Sequence, residues 1–216
     1  MMTGARRAGG IVAAVLVLGS ALAGGAGVSG AAAPAAVQRF VLVPGESQAL
    51  YRVGETLFRE GNRFNVAVGV TTAVRGEILV DRASPANSRV GPIQVDISQL
   101  RSDSPRRDAA IRERWLESAR FPTAEFTSTR IDGLPARYED GREVSLRVTG
   151  DLKIREVVRP VTFAATVRLT GQELRGVATA RILMTDFGFE PPSILGVLRA
   201  QNEVEIEVRF VARPAP

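Results

Sequence analysis

The side chains able to do chemistry in this chain are few, and the missing ones decide more than those present. Its 216 residues contain no histidine and no cysteine. A Ser-His-Asp or Cys-His arrangement therefore lacks its base or its nucleophile, and zinc or copper sites of the ordinary ligand type fail for the same reason. A pair of carboxylates could still run glycoside hydrolysis. Asp103, Asp108 and Asp186 are the candidates, each beside a turn or a helix end. Their structural readings are stronger: Asp108 as a first-turn helix residue paired with arginine, and Asp186 as a turn or hydrogen-bonding residue. Lys153, the single lysine, is a weaker candidate still. The expectation is a protein that is not an enzyme, with no catalytic residues, no metal and no cofactor.

Asp103 and Asp108 stand at the start of a short helix set in a strand-rich chain. Ser104 followed by Pro105 reads as an N-cap with proline in the first helical position, and Asp108 places a carboxylate in the first turn, where the helix dipole favours it. Ile111, Trp115 and Ala119 recur at four-residue spacing and share a face. Phe121-Pro122 ends the pattern, because the residue before proline is pushed out of the helical region. This predicts one helix over about 104–119, with Trp115 on its buried face.

From Val37 onward the dominant signal is period-two alternation, the mark of half-buried antiparallel strands. Val204, Ile206, Val208 and Phe210 alternate with Glu203, Glu205, Glu207 and Arg209. Val144, Leu146 and Val148 do the same, as do Val161, Phe163, Ala165, Val167 and Leu169. Asp140-Gly141 and Thr170-Gly171 fall between such runs, where hairpin turns need positive φ. Strands are predicted at about 38–43, 48–53, 64–70, 74–80, 88–97, 123–131, 143–154, 160–170, 173–184 and 203–211. Ten short strands suit a sandwich or an up-and-down barrel.

The first 36 residues run from basic (Arg6, Arg7) through apolar (Ile11 to Leu18) to Ala/Gly/Ser-rich sequence, the order of a secretory signal peptide. The domain reading is thus a signal peptide with small-residue linker over 1–36, one barrel domain over 37–212, and a tail over 213–216. The expected location is secreted, periplasmic or on the exterior of the cell envelope. Without cysteine, an exported domain must be held by packing and strand pairing rather than by disulfides. The formal charge is +5. Arginines alternate with glutamates along the strands, and Trp115, Tyr51 and Tyr138 are scattered rather than arrayed as stacking platforms. Nucleic acid is therefore not an expected partner.

Five motifs in register carry a family resemblance. They are Arg107-Asp108, then Phe121-Pro122 with Phe126-Thr127-Ser128, then Val148-Thr149-Gly150-Asp151-Leu152-Lys153-Ile154-Arg155, then Arg159-Pro160-Val161-Thr162-Phe163, then Met184-Thr185-Asp186-Phe187-Gly188-Phe189. Over roughly residues 38 to 212 the chain resembles the YceI-like family of secreted lipid-binding proteins. Many members carry a His-Ser pair in the first strands, where this chain has Ser47-Gln48 and Tyr51-Arg52. The resemblance implies an all-β fold: a lipocalin-like antiparallel β-barrel with one main short helix. It also implies an isoprenoid-type lipid, polyprenyl or quinone-like, held in the barrel for sequestration or transport. A homodimer would fit the family, and transient contact with a membrane surface would fit such a ligand. Phe58, Phe64, Val68, Trp115, Phe126, Val148, Leu152, Phe163, Ala165, Met184, Phe187, Phe189 and Leu195 are the candidate apolar lining. Pattern alone reads such residues as the packed core that any barrel needs, and a structural or stress-protective barrel with no ligand is the alternative. The mouth is expected near the Asp103–Trp115 helix or the Asp186–Leu198 loop.

Overall fold

A computed structural model describes residues 37–216; the expected signal peptide lies outside the described residues. Eleven strands form one antiparallel sheet: β1 (Val37–Leu42), β2 (Gln48–Leu57), β3 (Arg63–Thr71), β4 (Val74–Asp81), β5 (Arg89–Asp96), β6 (Thr123–Asp132), β7 (Glu143–Ile154), β8 (Val157–Thr170), β9 (Glu173–Leu183), β10 (Ser193–Ile194) and β11 (Leu198–Pro214). Strands β4 to β9 form a meander. β1 pairs with β4 on one side of it, β11 pairs with β9 on the other, and β11 pairs with β1 to close an eight-stranded ring. β11 continues to Pro214, into the segment read from sequence as a tail.

The ring is split at one end. β11 gives its Leu198–Arg209 stretch to β2 and only Ala212–Pro214 to β1. Beyond the split, the β2–β3 hairpin peels away, and a double backbone bridge between Val70 and Arg101 ties it to the segment before the helix. Ser47, fully buried, stands at the branch. Its hydroxyl accepts from the Val211 N–H and donates to the Val211 carbonyl, both at 3.2 Å, so β11 keeps its backbone partners where β1 hands over to β2.

The alternating residues face as their period requires. On β8, Phe163, Ala165 and Leu169 are buried while Thr162, Ala164, Thr166 and Arg168 are exposed. The core gathers in two clusters. One surrounds Phe126 and Phe163, whose rings meet edge to face at 4.9 Å; the other surrounds Phe40, Val74 and Ala212. The predicted turns at Gly141 and Gly171 both have positive φ, 72° and 57°.

The helix is shorter than its sequence pattern. α1 covers Pro105–Ala110, with the Ser104 hydroxyl accepting from the Arg107 N–H, and continues as one wider π-type turn through Trp115. Glu117 then takes φ of 46° and turns the chain, so Ala119 is exposed and does not share a face with Ile111 and Trp115. Trp115 is half-buried rather than fully buried. Four-residue spacing is a necessary mark of a helical face; here the left-handed residue stops the helix before the third member.

Candidate functional site

The barrel holds a partly open cavity of about 190 Å³ whose walls are the inward sides of most of the ring. Ile78 and Val80 come from β4, Ile93 from β5, Phe126 and Ile131 from β6, and Val144, Leu146 and Val148 from β7. Phe163, Ala165, Val167 and Leu169 come from β8, Ala178 from β9, and Val208 and Phe210 from β11. These strands line a cavity because their apolar residues sit at every second position, and the intervening Glu143, Ser145 and Arg147 of β7 stay in water.

Polar lining is confined to one end. It comes from the end of β4 (Asp81), the start of β5 and the residue before it (Ser88, Arg89) and the β6–β7 connection (Tyr138, Glu139, Arg142). That end lies opposite α1 and the Asp186–Leu198 loop, which correspond to the other ends of the same strands. The sequence expectation put the mouth near that helix and loop, whereas the polar lining groups lie at the other end. The helix and the Pro-rich loop drew that reading as irregular elements, but they cap the packed cluster around Phe187 and Phe189 instead.

The acids at this rim are engaged. Buried Asp81 accepts from the Ser84 N–H at 2.8 Å and from Asn87 Nδ2 at 3.2 Å. The Ser84 N–H chiefly holds its carboxyl below the ordinary aspartate range. Tyr138 donates its hydroxyl to Asp140 at 2.5 Å, and Asp140 also accepts from the Gly171 N–H at 2.7 Å. Those two bonds depress the Asp140 carboxyl, while burial and then the Asp140 contact raise the Tyr138 phenol. Glu139 pairs with Arg142 at 2.7 Å. The Arg82 guanidinium lies over the Tyr138 ring, 5.2 Å from its centroid, and donates to the Gly171 carbonyl.

Of the residues expected to line a cavity, Phe126, Val148, Phe163 and Ala165 do so. Leu152, Phe187 and Phe189 are buried in the adjoining cluster, with Met184 and Trp115 packed half-buried against it. The Trp115 indole N–H donates to the Glu190 carbonyl at 3.1 Å. Phe58, Phe64, Val68 and Leu195 stand outside the cavity. Phe64 and Val68 project from the β3 face opposite buried Ala67 and Gly69, and Phe64 is 59% exposed. Phe58 sits in an exposed 3-10 turn, and Leu195 is wholly exposed in the turn between β10 and β11. Side-chain type suggested these four; strand phase and turn position overrule it. Ile78, Val80, Ile131, Leu146 and Phe210 were missed as lining, although the alternation of β7 and β11 already placed Leu146 and Phe210 on inward faces.

The three carboxylates weighed for hydrolysis do not converge. Asp108 accepts from the Ser102 N–H at 2.9 Å and hydroxyl at 2.6 Å, Asp103 pairs with Arg107, and Asp186 is exposed in a 3-10 turn. Asp108 thus organises the helix start through Ser102 rather than through arginine. Arg107 instead reaches buried Glu55 at 2.8 Å, and Asn65 donates to the same oxygen at 2.8 Å. Tyr51 lies beside this group, its ring packed where Gly69 has no side chain and its hydroxyl buried without a partner among the described residues. Burial pushes the Tyr51 phenol up to about 12.

Residues 43–212 match the model of the YceI-like domain family. A UPF0312 protein of Pseudomonas putida (strain W619) is 30% identical over 143 residues, which are 63% of this chain and 69% of that protein. One from Vibrio vulnificus (strain YJ016) is 32% identical over 119 residues, 52% of this chain and 59% of that protein. Among solved structures, Burkholderia cenocepacia BcnA superposes with a TM-score of 0.61 at 18% identity, covering 79% of this chain and 98% of its own. A polyisoprenoid binding domain from Saccharophagus degradans superposes with a TM-score of 0.58 at 11% identity, covering 83% and 99%. At those identities the structural likeness establishes the fold.

Proposed function

This chain belongs to the YceI-like domain family, and from that premise we propose that its barrel holds an isoprenoid-type amphiphile, polyprenyl or quinone-like, for sequestration or transport. One observation carries the reading: the cavity is walled by apolar side chains around most of the ring, and its polar groups are gathered at a single end. Such a space matches a molecule with a hydrocarbon tail and one polar terminus. The polyisoprenoid binding domain that shares the fold supports the same ligand class.

Burial of the tail supplies the affinity. Each methylene removed from water contributes about 0.8 kcal/mol, and an apolar cavity of about 150 Å³ is already enough for benzene. The cavity of about 190 Å³ therefore takes a ring or a short prenyl segment. A longer tail must shift lining side chains or leave through the mouth. The reading involves no catalytic step: the rim acids hold loops and turns together.

Organic extraction of the purified protein followed by mass spectrometry tests it. Recovery of a prenyl chain in near-stoichiometric amount is the expected result. A protein that yields no lipid and takes up no added prenyl compound would be a packed structural barrel instead. The same proposal includes export from the cytoplasm and a mature start between about Ala33 and Gln38, a reading supported by the basic, apolar and small-residue order. N-terminal sequencing of exported material checks this; an intact Met1 terminus in a membrane fraction would refute it.

A further inference from the structure

Two arginines at the polar end of the barrel, one in the cavity lining and one behind it, have hydrogen-bonding capacity that no other described residue uses. Arg89 lines the cavity, and among the described residues its hydrogen bonds run from Nη1 to the Ala86 and Ser88 carbonyls alone, at 3.3 and 2.9 Å. Arg82 lies on the ring of Tyr138, itself a lining residue, and spends one Nη2 bond on the Gly171 carbonyl; its Nε is buried without a partner among the described residues. Among the described residues neither forms an ion pair, although Arg142 beside them does. The neighbouring carboxylates are in the opposite condition. Asp81, Glu139 and Asp140 are each occupied by N–H or O–H donors or by Arg142.

Formal charges at this rim balance, so net charge does not select the ligand; the spare groups do. A guanidinium offers only donors and a fork that fits two oxygens of one anion. A head group that needs acceptors, such as an amine, finds the rim acceptors already taken. Bonds from guanidinium to an ionised oxygen are about twice as strong as neutral ones.

We infer that Arg82 and Arg89 receive an anionic, oxygen-rich head group, a phosphate or carboxylate, whose prenyl tail fills the cavity below. This names the polar terminus of the proposed amphiphile and rests on the cavity being its site. The Tyr138 ring, held by Asp140 and covered by Arg82, forms the boundary between the head and the apolar walls.

The test compares geranylgeranyl phosphate, geranylgeraniol and inorganic phosphate on the full mature chain, in low and moderate salt. The phosphate ester should bind at least about tenfold more tightly than the alcohol, with the margin shrinking as salt rises, as charge-assisted bonds at a partly exposed site predict. Arg82→Gln with Arg89→Gln should erase that margin by weakening the ester far more than the alcohol. Arg82 is packed on Tyr138, so Arg89→Gln alone, at an exposed position, serves as the second variant and should lose a several-fold part of the margin. Equal binding of ester and alcohol overturns the head-group assignment and leaves the lipid-binding reading intact. Binding of neither overturns both. Inorganic phosphate binding as tightly as the ester would make this a free-anion site and refute the link to a tail.

Discussion

Ala165→Phe separates a ligand cavity from a packed interior. Ala165 lies on the inward side of β8 between Phe163 and Val167, with Leu146 of β7 and Ala178 of β9 as its cross-strand partners, and all five line the cavity. A phenyl ring added there points into a space of about 190 Å³, and about 150 Å³ suffices for benzene. The ring therefore takes most of the room without forcing its neighbours off their rotamers, and the fold should change by less than about 1 kcal/mol. Overpacking a filled core would cost about 1–3 kcal/mol. On the ligand side, the ring displaces about four to six methylene equivalents of tail. At about 0.8 kcal/mol each this is ~3–5 kcal/mol, a loss of affinity of more than about a hundredfold. Urea denaturation midpoints and titration with geranylgeraniol, side by side, read both quantities. A strongly lowered midpoint, or a variant that binds the alcohol as the parent does, would refute the reasoning.

Other consequences are local. Tyr51→Phe removes a buried hydroxyl with no partner, so stability at neutral pH should change by no more than about 1 kcal/mol. A phenol raised in the folded state to about 12 contributes stability that is intact below its unfolded pKa of about 10 and is lost as pH rises through the folded value. The parent should thus lose about 2–3 kcal/mol more than Tyr51→Phe by pH 12, checked by denaturation series across that window; parallel curves would contradict it. Arg107→Met leaves the Glu55 carboxylate buried with Asn65 as its one side-chain partner among the described residues. It should cost about 2–4 kcal/mol, somewhat below a fully buried pair because Arg107 is 21% exposed; an unchanged urea midpoint would be inconsistent with that burial. Trp115 packs at the end of the barrel away from the polar rim, so its emission should barely move when lipid is extracted, and a large shift would place ligand near α1.

Strand positions were legible because alternation is a local property: β7 at Glu143–Ile154 matches its sequence reading residue for residue. The ends of elements were less so. Nothing local announces that Glu117 will adopt positive φ, and the Ile111–Trp115–Ala119 spacing continued through it. The site was half legible. Phe163 and Ala165 follow from the phase of β8, whereas β3 gathers Phe64, Val66, Val68 and Val70 on one face and buries the small Ala67 and Gly69 on the other, so residue type pointed to the outer face. The polar rim was not legible at all. Arg82, Tyr138 and Gly171 meet only when the β4–β5, β6–β7 and β8–β9 connections are brought to one end of the ring, and no spacing in the sequence encodes that meeting.

β11, the strand that holds β9 on one edge and both β2 and β1 on the other, also imposes an order of assembly. The β4–β9 meander can form from neighbours in sequence, but ring closure pairs Phe40 with Pro214, across nearly the whole described chain. Contacts at such separation form late and slowly. Until β11 arrives, β9, β2 and β1 each keep an open edge able to pair with another molecule. A brief interval of vulnerability is thus built into the topology, and it ends when one 17-residue segment seats. Hydrogen-exchange labelling during refolding reads that order directly: amides of β7 and β8 should be protected before those of β1, and simultaneous protection would argue against it.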